Sequence, residues 1–121
     1  KRYVSISAPV IASDVLFEFS KIVNCTRKTT QIMEQMVIEE IDREFHTVSI
    51  EHIAPNIPKL PMLLMHDKND KRVRWFNTER MAELLPHAEF VSTNGLGHNR
   101  IMNDQEVINR ILAFAEDKVL A

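Results

Sequence analysis

A chain of 121 residues allows one ordinary domain and leaves no room for two independent cores. Its 45% hydrophobic and 26% charged residues exclude wholesale disorder, and 15 basic against 17 acidic residues, mixed along the chain for a net charge of -2, exclude a phosphate-seeking basic stripe. One cysteine, Cys25, permits neither an intrachain disulfide nor a structural zinc finger, and no apolar stretch approaches the roughly 18 to 20 residues of a membrane span.

Lys1-Arg2 runs at once into Tyr3-Val4-Ser5-Ile6-Ser7, so the chain is expected to be a piece of a longer one whose first segment is a strand at residues 3–8, closed by Pro9. Ser13-Asp14 then offers an N-cap to a helix whose Val15, Leu16, Phe17, Phe19, Ile22 and Val23 form a wide apolar face, suited to packing on more than one side. After the polar break at Asn24-Cys25-Thr26 a second helix starts at Thr29 or Thr30. Its Ile32, Met33, Met36, Val37 and Ile41 recur at steps of three and four, with Glu34, Glu39, Glu40 and Asp42 opposite, and that stripe is expected to be core. Residues 47–59, with Pro55 and Pro58, read as a helical turn and a connector.

Pro61-Met62-Leu63-Leu64-Met65-His66 is apolar without alternation, the pattern of a strand buried on both faces of a parallel sheet. Residues 75–85 carry Phe76, Met81, Leu84 and Leu85 at helical spacing and stop before Pro86. Residues 88–93 predict a third strand. Asn103-Asp104-Gln105-Glu106 predicts a capping box for a last helix with Val107, Ile108, Ile111, Leu112, Phe114 and Ala115 inward. Strand, helices, strand, helix, strand, helix is the α/β pattern with parallel strands and right-handed crossovers.

Both glycines of the chain, where an average composition would supply roughly eight, flank Leu96 just before His98. Glycine is needed where the backbone takes a positive φ, so this loop is specially shaped. Ligands in open parallel sheets bind beyond the carboxyl ends of the strands. Those ends carry His66-Asp67-Lys68-Asn69-Asp70 and Asn94-Gly95-Leu96-Gly97-His98, an acid and an imidazole for one rim. Ser5 and Ser7 alternate on a strand and read as structural, without the strained turn that exposes a nucleophile. A metal held by His66, Asp67, Asp70 and His98 is disfavoured because neighbouring strand-end residues diverge, and Cys25 has no histidine near it in sequence to activate it.

His66-Asp67-Lys68-Asn69-Asp70-Lys71-Arg72-Val73 and Gly95-Leu96-Gly97-His98 resemble the acid loop (His-Gly-x-x-Asp-x-x-Val) and the histidine loop (Gly-x-Gly-His) of the α/β-hydrolase superfamily. The resemblance implies the C-terminal portion of that fold: about three parallel strands with flanking helices and a helical cap segment. It divides the chain into a strand and turn at 1–12, cap or lid helices at 13–54, and a strand-helix-strand-helix unit at 55–121. It makes Asp70 the triad acid and His98 the triad base. Asp67, standing where the motif has glycine, is a rival acid.

No Gly-x-Ser-x-Gly can be formed here, so the resemblance places the serine nucleophile and the oxyanion hole before Lys1. The expectation is part of a serine hydrolase of ester-like substrates needing no cofactor or metal, cytoplasmic to suit a lone cysteine, inactive alone, and assembled through its first strand edge with a second copy or with the rest of the fold. The rival from another class is a non-catalytic association module.

Overall fold

The computed structural model describes residues 1–117. Three strands, β1 (Tyr3–Ile6), β2 (Met62–Asp67) and β3 (Glu89–Thr93), form one sheet in the order β1-β2-β3, with both pairings parallel. The helices are α1 (Ala12–Ile22), α2 (Arg27–Ile41), α3 (Ile50–Ile53), α4 (Phe76–Leu84), α5 (Gly97–Arg100) and α6 (Gln105–Ala115), with short 3-10 turns at Phe45–Val48, Ala54–Asn56 and Ile101–Asn103. No described helix is long and apolar enough to cross a membrane.

β2 is buried along its whole length, as its unbroken apolar run requires. Successive side chains of a strand point to opposite faces. Met62 and Leu64 therefore join Ile50, Ala54, Met81 and Leu85 in one core, while Leu63 and Met65 join Ile101 and Val107 in the other. The same alternation carries past the apolar residues. His66 emerges on the side of α4, and Asp67 on the side of the Leu96 loop.

Several sequence expectations are corrected. β1 ends at Ile6 rather than residue 8, because Ser7 turns to φ 53 and breaks the extended run. α1 starts at Ala12 after Ile11, and Asp14 is no cap: it is buried within the first turn. Ser49 Oγ accepts from Ala12 N at 3.2 Å, so part of the capping comes from a distant turn.

The apolar face of α1 is largely uncovered, with Phe17 49% and Ile22 76% exposed, since helix α2 leaves most of it open. α2 itself begins at Arg27, where Thr26 Oγ1 accepts from Thr29 N at 3.2 Å, and it has no buried residue. Its methionine-bearing stripe is not core, for Met36 is 63% exposed and none of the stripe is buried. In α6 the cap is Asp104, whose Oδ1 accepts from Val107 N at 3.0 Å. Leu112 and Ala115, expected inward, are exposed on this helix. Lys118, where the closing helix was expected to end, lies outside the described residues.

One buried amide joins these elements. Asn77 on α4 is fully buried, accepts from Val10 N and Ile11 N at 3.2 and 3.1 Å, and donates to Asp14 Oδ2 at 2.8 Å and Arg74 O at 3.0 Å. All four of its hydrogen-bonding positions are filled. Asn77→Ala should cost about 3 kcal/mol, since buried donors and a carboxylate lose their partner. Urea unfolding should show a lower midpoint at unchanged slope, and an unaltered midpoint would refute the role.

Candidate functional site

The carboxyl ends of β2 and β3 face the same rim because the strands are parallel neighbours, with His66 opposite Ser92 and Asp67 opposite Thr93. Lys68 N donates to Thr93 O at 2.9 Å, and Asn69 Nδ2 donates to Asn94 Oδ1 at 2.6 Å. These bonds tie the two loops together.

Asp70 and His98 meet there. Asp70 Oδ2 accepts from His98 Nδ1 at 2.7 Å, while Asp70 Oδ1 accepts from the backbone N–H groups of Arg72 and Val73 at 2.8 and 2.9 Å. The carboxyl is completely buried, and the imidazole is 30% exposed. Burial raises the proton affinity of Asp70, but the Val73 amide, the His98 hydrogen bond, the Arg72 amide and the His98 charge outweigh it and hold the acid below its ordinary range. With Nδ1 donating to the acid, His98 Nε2 carries the free lone pair of the neutral ring and makes no hydrogen bond among the described residues.

The glycines shape the approach to His98. Gly95 and Gly97 have φ of 91 and 73, the left-handed region in which a Cβ is strained even where space is open. Arg100 Nη2 and Nε donate to Gly95 O and Leu96 O at 2.6 and 3.0 Å and fasten the loop from its far side.

Asp67, the rival acid, does not pair with His98. Its Oδ2 accepts from Thr93 Oγ1 at 2.6 Å and Leu96 N at 2.9 Å, and its Oδ1 accepts from Asn69 N at 2.9 Å. It stands in the strand rather than in the loop, on the face opposite His66, and there it pins both rim loops. Burial raises its pKa, yet bonds from Thr93 and from the backbone of Gly97, Leu96 and Asn69 bring it down to about 2.

Ser7 departs from the sequence reading in a second way. Its φ of 53 is left-handed rather than extended, yet Ser7 is buried and its Oγ has no hydrogen-bond partner among the described residues, so the turn exposes no nucleophile and no described base reaches it. Cys25 is a half-buried free thiol after α1. No three or more of the described His, Cys, Asp and Glu side chains form a group that would hold a metal ion.

Sequence reasoning passed over His66 and Thr78 as partners of the acid. His66 Nε2 lies 3.2 Å from Asp70 Oδ2 and 2.8 Å from Val73 O, and His66 Nδ1 lies 2.6 Å from Thr78 Oγ1. The signal was present in the parity of β2, which puts His66 on the face of Met62 and Leu64, against α4.

Among solved structures, the Pyrococcus furiosus esterase Pf2001 matches 97% of this chain and 44% of its own length, with TM-score 0.65 and 15% identity. MGS-MChE2, an alpha/beta hydrolase enzyme from the metagenome of sediments from the lagoon of Mar Chica in Morocco, matches 94% of this chain and 49% of its own, with TM-score 0.51 and 20% identity. No family model and no curated protein matches the sequence. The likeness is one of fold, and the chain spans about half the length of these two structures.

The depressed Asp67 sets a pH dependence. Its folded pKa of about 2 lies below the ordinary 3.8, so the stability it contributes is complete above about pH 4 and is lost as the pH falls through 2. Asp67→Asn should lower stability at pH 6, and the gap to the unsubstituted chain should narrow toward pH 2 in denaturant titrations. A gap independent of pH would show that the charge contributes nothing.

Proposed function

From a chain with the α/β-hydrolase fold, we propose that Asp70 and His98 are the acid and base of a serine-hydrolase triad acting on carboxylic ester, thioester or amide bonds of small-molecule or acyl substrates. The Asp70–His98 hydrogen bond at the shared carboxyl rim of two parallel strands carries this reading. The nucleophile and the oxyanion donors come from chain other than these 121 residues, since the two glycines here are committed to the histidine loop. In this reading the 121 residues are the C-terminal part of the domain.

The chemistry follows from the protonation pattern. Ionised Asp70 keeps the proton of His98 on Nδ1 and leaves Nε2 to take the proton of the attacking serine hydroxyl. Attack on the carbonyl forms a tetrahedral oxyanion while His98 becomes imidazolium, stabilised by Asp70 across 2.7 Å. His98 then returns the proton to the leaving group. The same two steps with water release the acyl group.

Residues 13–54 act as the cap. A cavity of about 170 Å³ between α1 and the acid loop, lined by Pro9, Val15, Phe19, Ile22, Arg72 and Val73, supports selection of apolar substrate groups. Its charged neighbours Asp14 and Glu18 pair with Arg74, and Glu18 pairs with Lys21 as well.

In a longer chain carrying these residues, His98→Ala should lower kcat about 10⁶-fold. The 121 residues alone should give neither a burst from an activated ester nor an adduct on Ser5 or Ser7 with a fluorophosphonate. Undiminished turnover in the variant would remove His98 from the reaction.

The outer edge of β1 has no partner strand among the described residues, and an open strand edge presents unpaired donors and acceptors. The edge is assigned to pairing with the remainder of the fold, or with a second copy when the 121 residues stand alone. Sedimentation at micromolar concentration should then show an assembly; a folded, soluble monomer would count against edge pairing.

A further inference from the structure

We infer that His66 is a positioning residue of the site: with Thr78 behind it, it holds the Asp70 carboxylate in the orientation from which Oδ2 receives His98. The inference rests on the reading of Asp70 as the orienting acid, and it concerns a histidine that plays no part in the proton transfers described above.

The geometry fixes what His66 does. It is fully buried, so each of its ring nitrogens needs a partner inside the protein. The Val73 carbonyl can only accept, so His66 Nε2 at 2.8 Å carries a proton, and that proton is shared with Asp70 Oδ2 at 3.2 Å. His66 Nδ1, at 2.6 Å from Thr78 Oγ1, is then the acceptor of the threonine hydroxyl in the neutral ring. The tautomer is opposite to that of His98, whose Nδ1 donates.

Two imidazoles thus bracket one carboxylate oxygen, one from the rim and one from the core. Val73 closes the arrangement into a ring: its N–H donates to Asp70 Oδ1 and its carbonyl accepts from His66. With Arg72 N on Oδ1 as well, Asp70 has a donor for each of about four lone-pair sites and cannot turn about its last bond without losing one.

Two charged side chains near this ring point elsewhere. Asp67 faces Thr93 and Leu96 on the opposite side of the sheet, and the Arg74 guanidinium faces Asp14 and Glu18. His66 is the only described histidine besides His98 that touches Asp70.

The test reads the Asp70–His98 hydrogen bond itself, by the downfield Hδ1 resonance of His98 in NMR of the 121-residue chain, and needs no turnover. Glutamine at position 66 places an amide N–H near the Nε2 position. Asparagine places its amide near Nδ1 and supplies nothing toward Asp70.

His66→Asn should move the His98 Hδ1 resonance upfield and speed its exchange with solvent about tenfold or more, the loss of one bond to a charged group. His66→Gln should keep both close to the unsubstituted chain. Thr78→Val, which removes only the hydroxyl and preserves side-chain shape, should speed exchange in the same direction by a smaller factor and serves if the position 66 variants do not fold.

Equal effects of asparagine and glutamine would make His66 mere packing and overturn the inference, as would an unmoved resonance in His66→Asn or, where those variants do not fold, in Thr78→Val. Absence of the resonance from the unsubstituted chain would strike at the Asp70–His98 pair and at the proposed function, a result separate from either.

Discussion

A carboxylate taken out of water must find donors for its lone pairs or give up its charge. Asp70 finds four: two backbone amides of its own loop, a histidine from the next loop, and a histidine from the strand that precedes it. The rest of the rim serves this requirement. β2 delivers the loop at the right place, α4 supplies Thr78 behind His66, and the left-handed glycines bring His98 round to face the acid.

The two carboxylates of this rim show how position divides labour between chemically identical groups. Asp67 and Asp70 are three residues apart and both are held below the ordinary carboxylate range. Asp67 spends its oxygens on a threonine and on backbone amides, and so fixes the two loops to each other. Asp70 keeps one oxygen for imidazoles. A strand residue is committed by the face it emerges on, whereas a loop residue is free to turn toward its neighbour across the rim.

What could be read from the residues alone follows the same division between local and distant causes. The unbroken apolar run before His66 announced a strand buried on both faces, and the glycine pair announced a shaped loop beside His98, because these are local demands of burial and backbone sterics. The meeting of Asp70 with His98 followed from strand ends and motif resemblance. The role of Asn77 was not legible: three of its four partners lie 63 to 67 residues away along the chain, and no periodic pattern marks them. The burial of α1 and α2 was misjudged for a related reason. A helical stripe of apolar residues states that a face prefers cover, and says nothing about whether the described chain supplies it.

Arg74 gives the architecture a mechanical side. It follows Val73 directly, its guanidinium lies 4.6 Å from the Phe76 ring centre and 5.3 Å from that of Phe17, and it binds Asp14 and Glu18 on α1. α1 is therefore hung on the acid loop by a charged, partly solvent-exposed pin. With the Asp14 carboxylate buried and that of Glu18 nearly so, salt screens this pin far less than it would a pair on the open surface. A sideways pull on α1 reaches the Asp70 carboxylate through two peptide units, so the helix and the loop form a lever whose short arm ends at the acid.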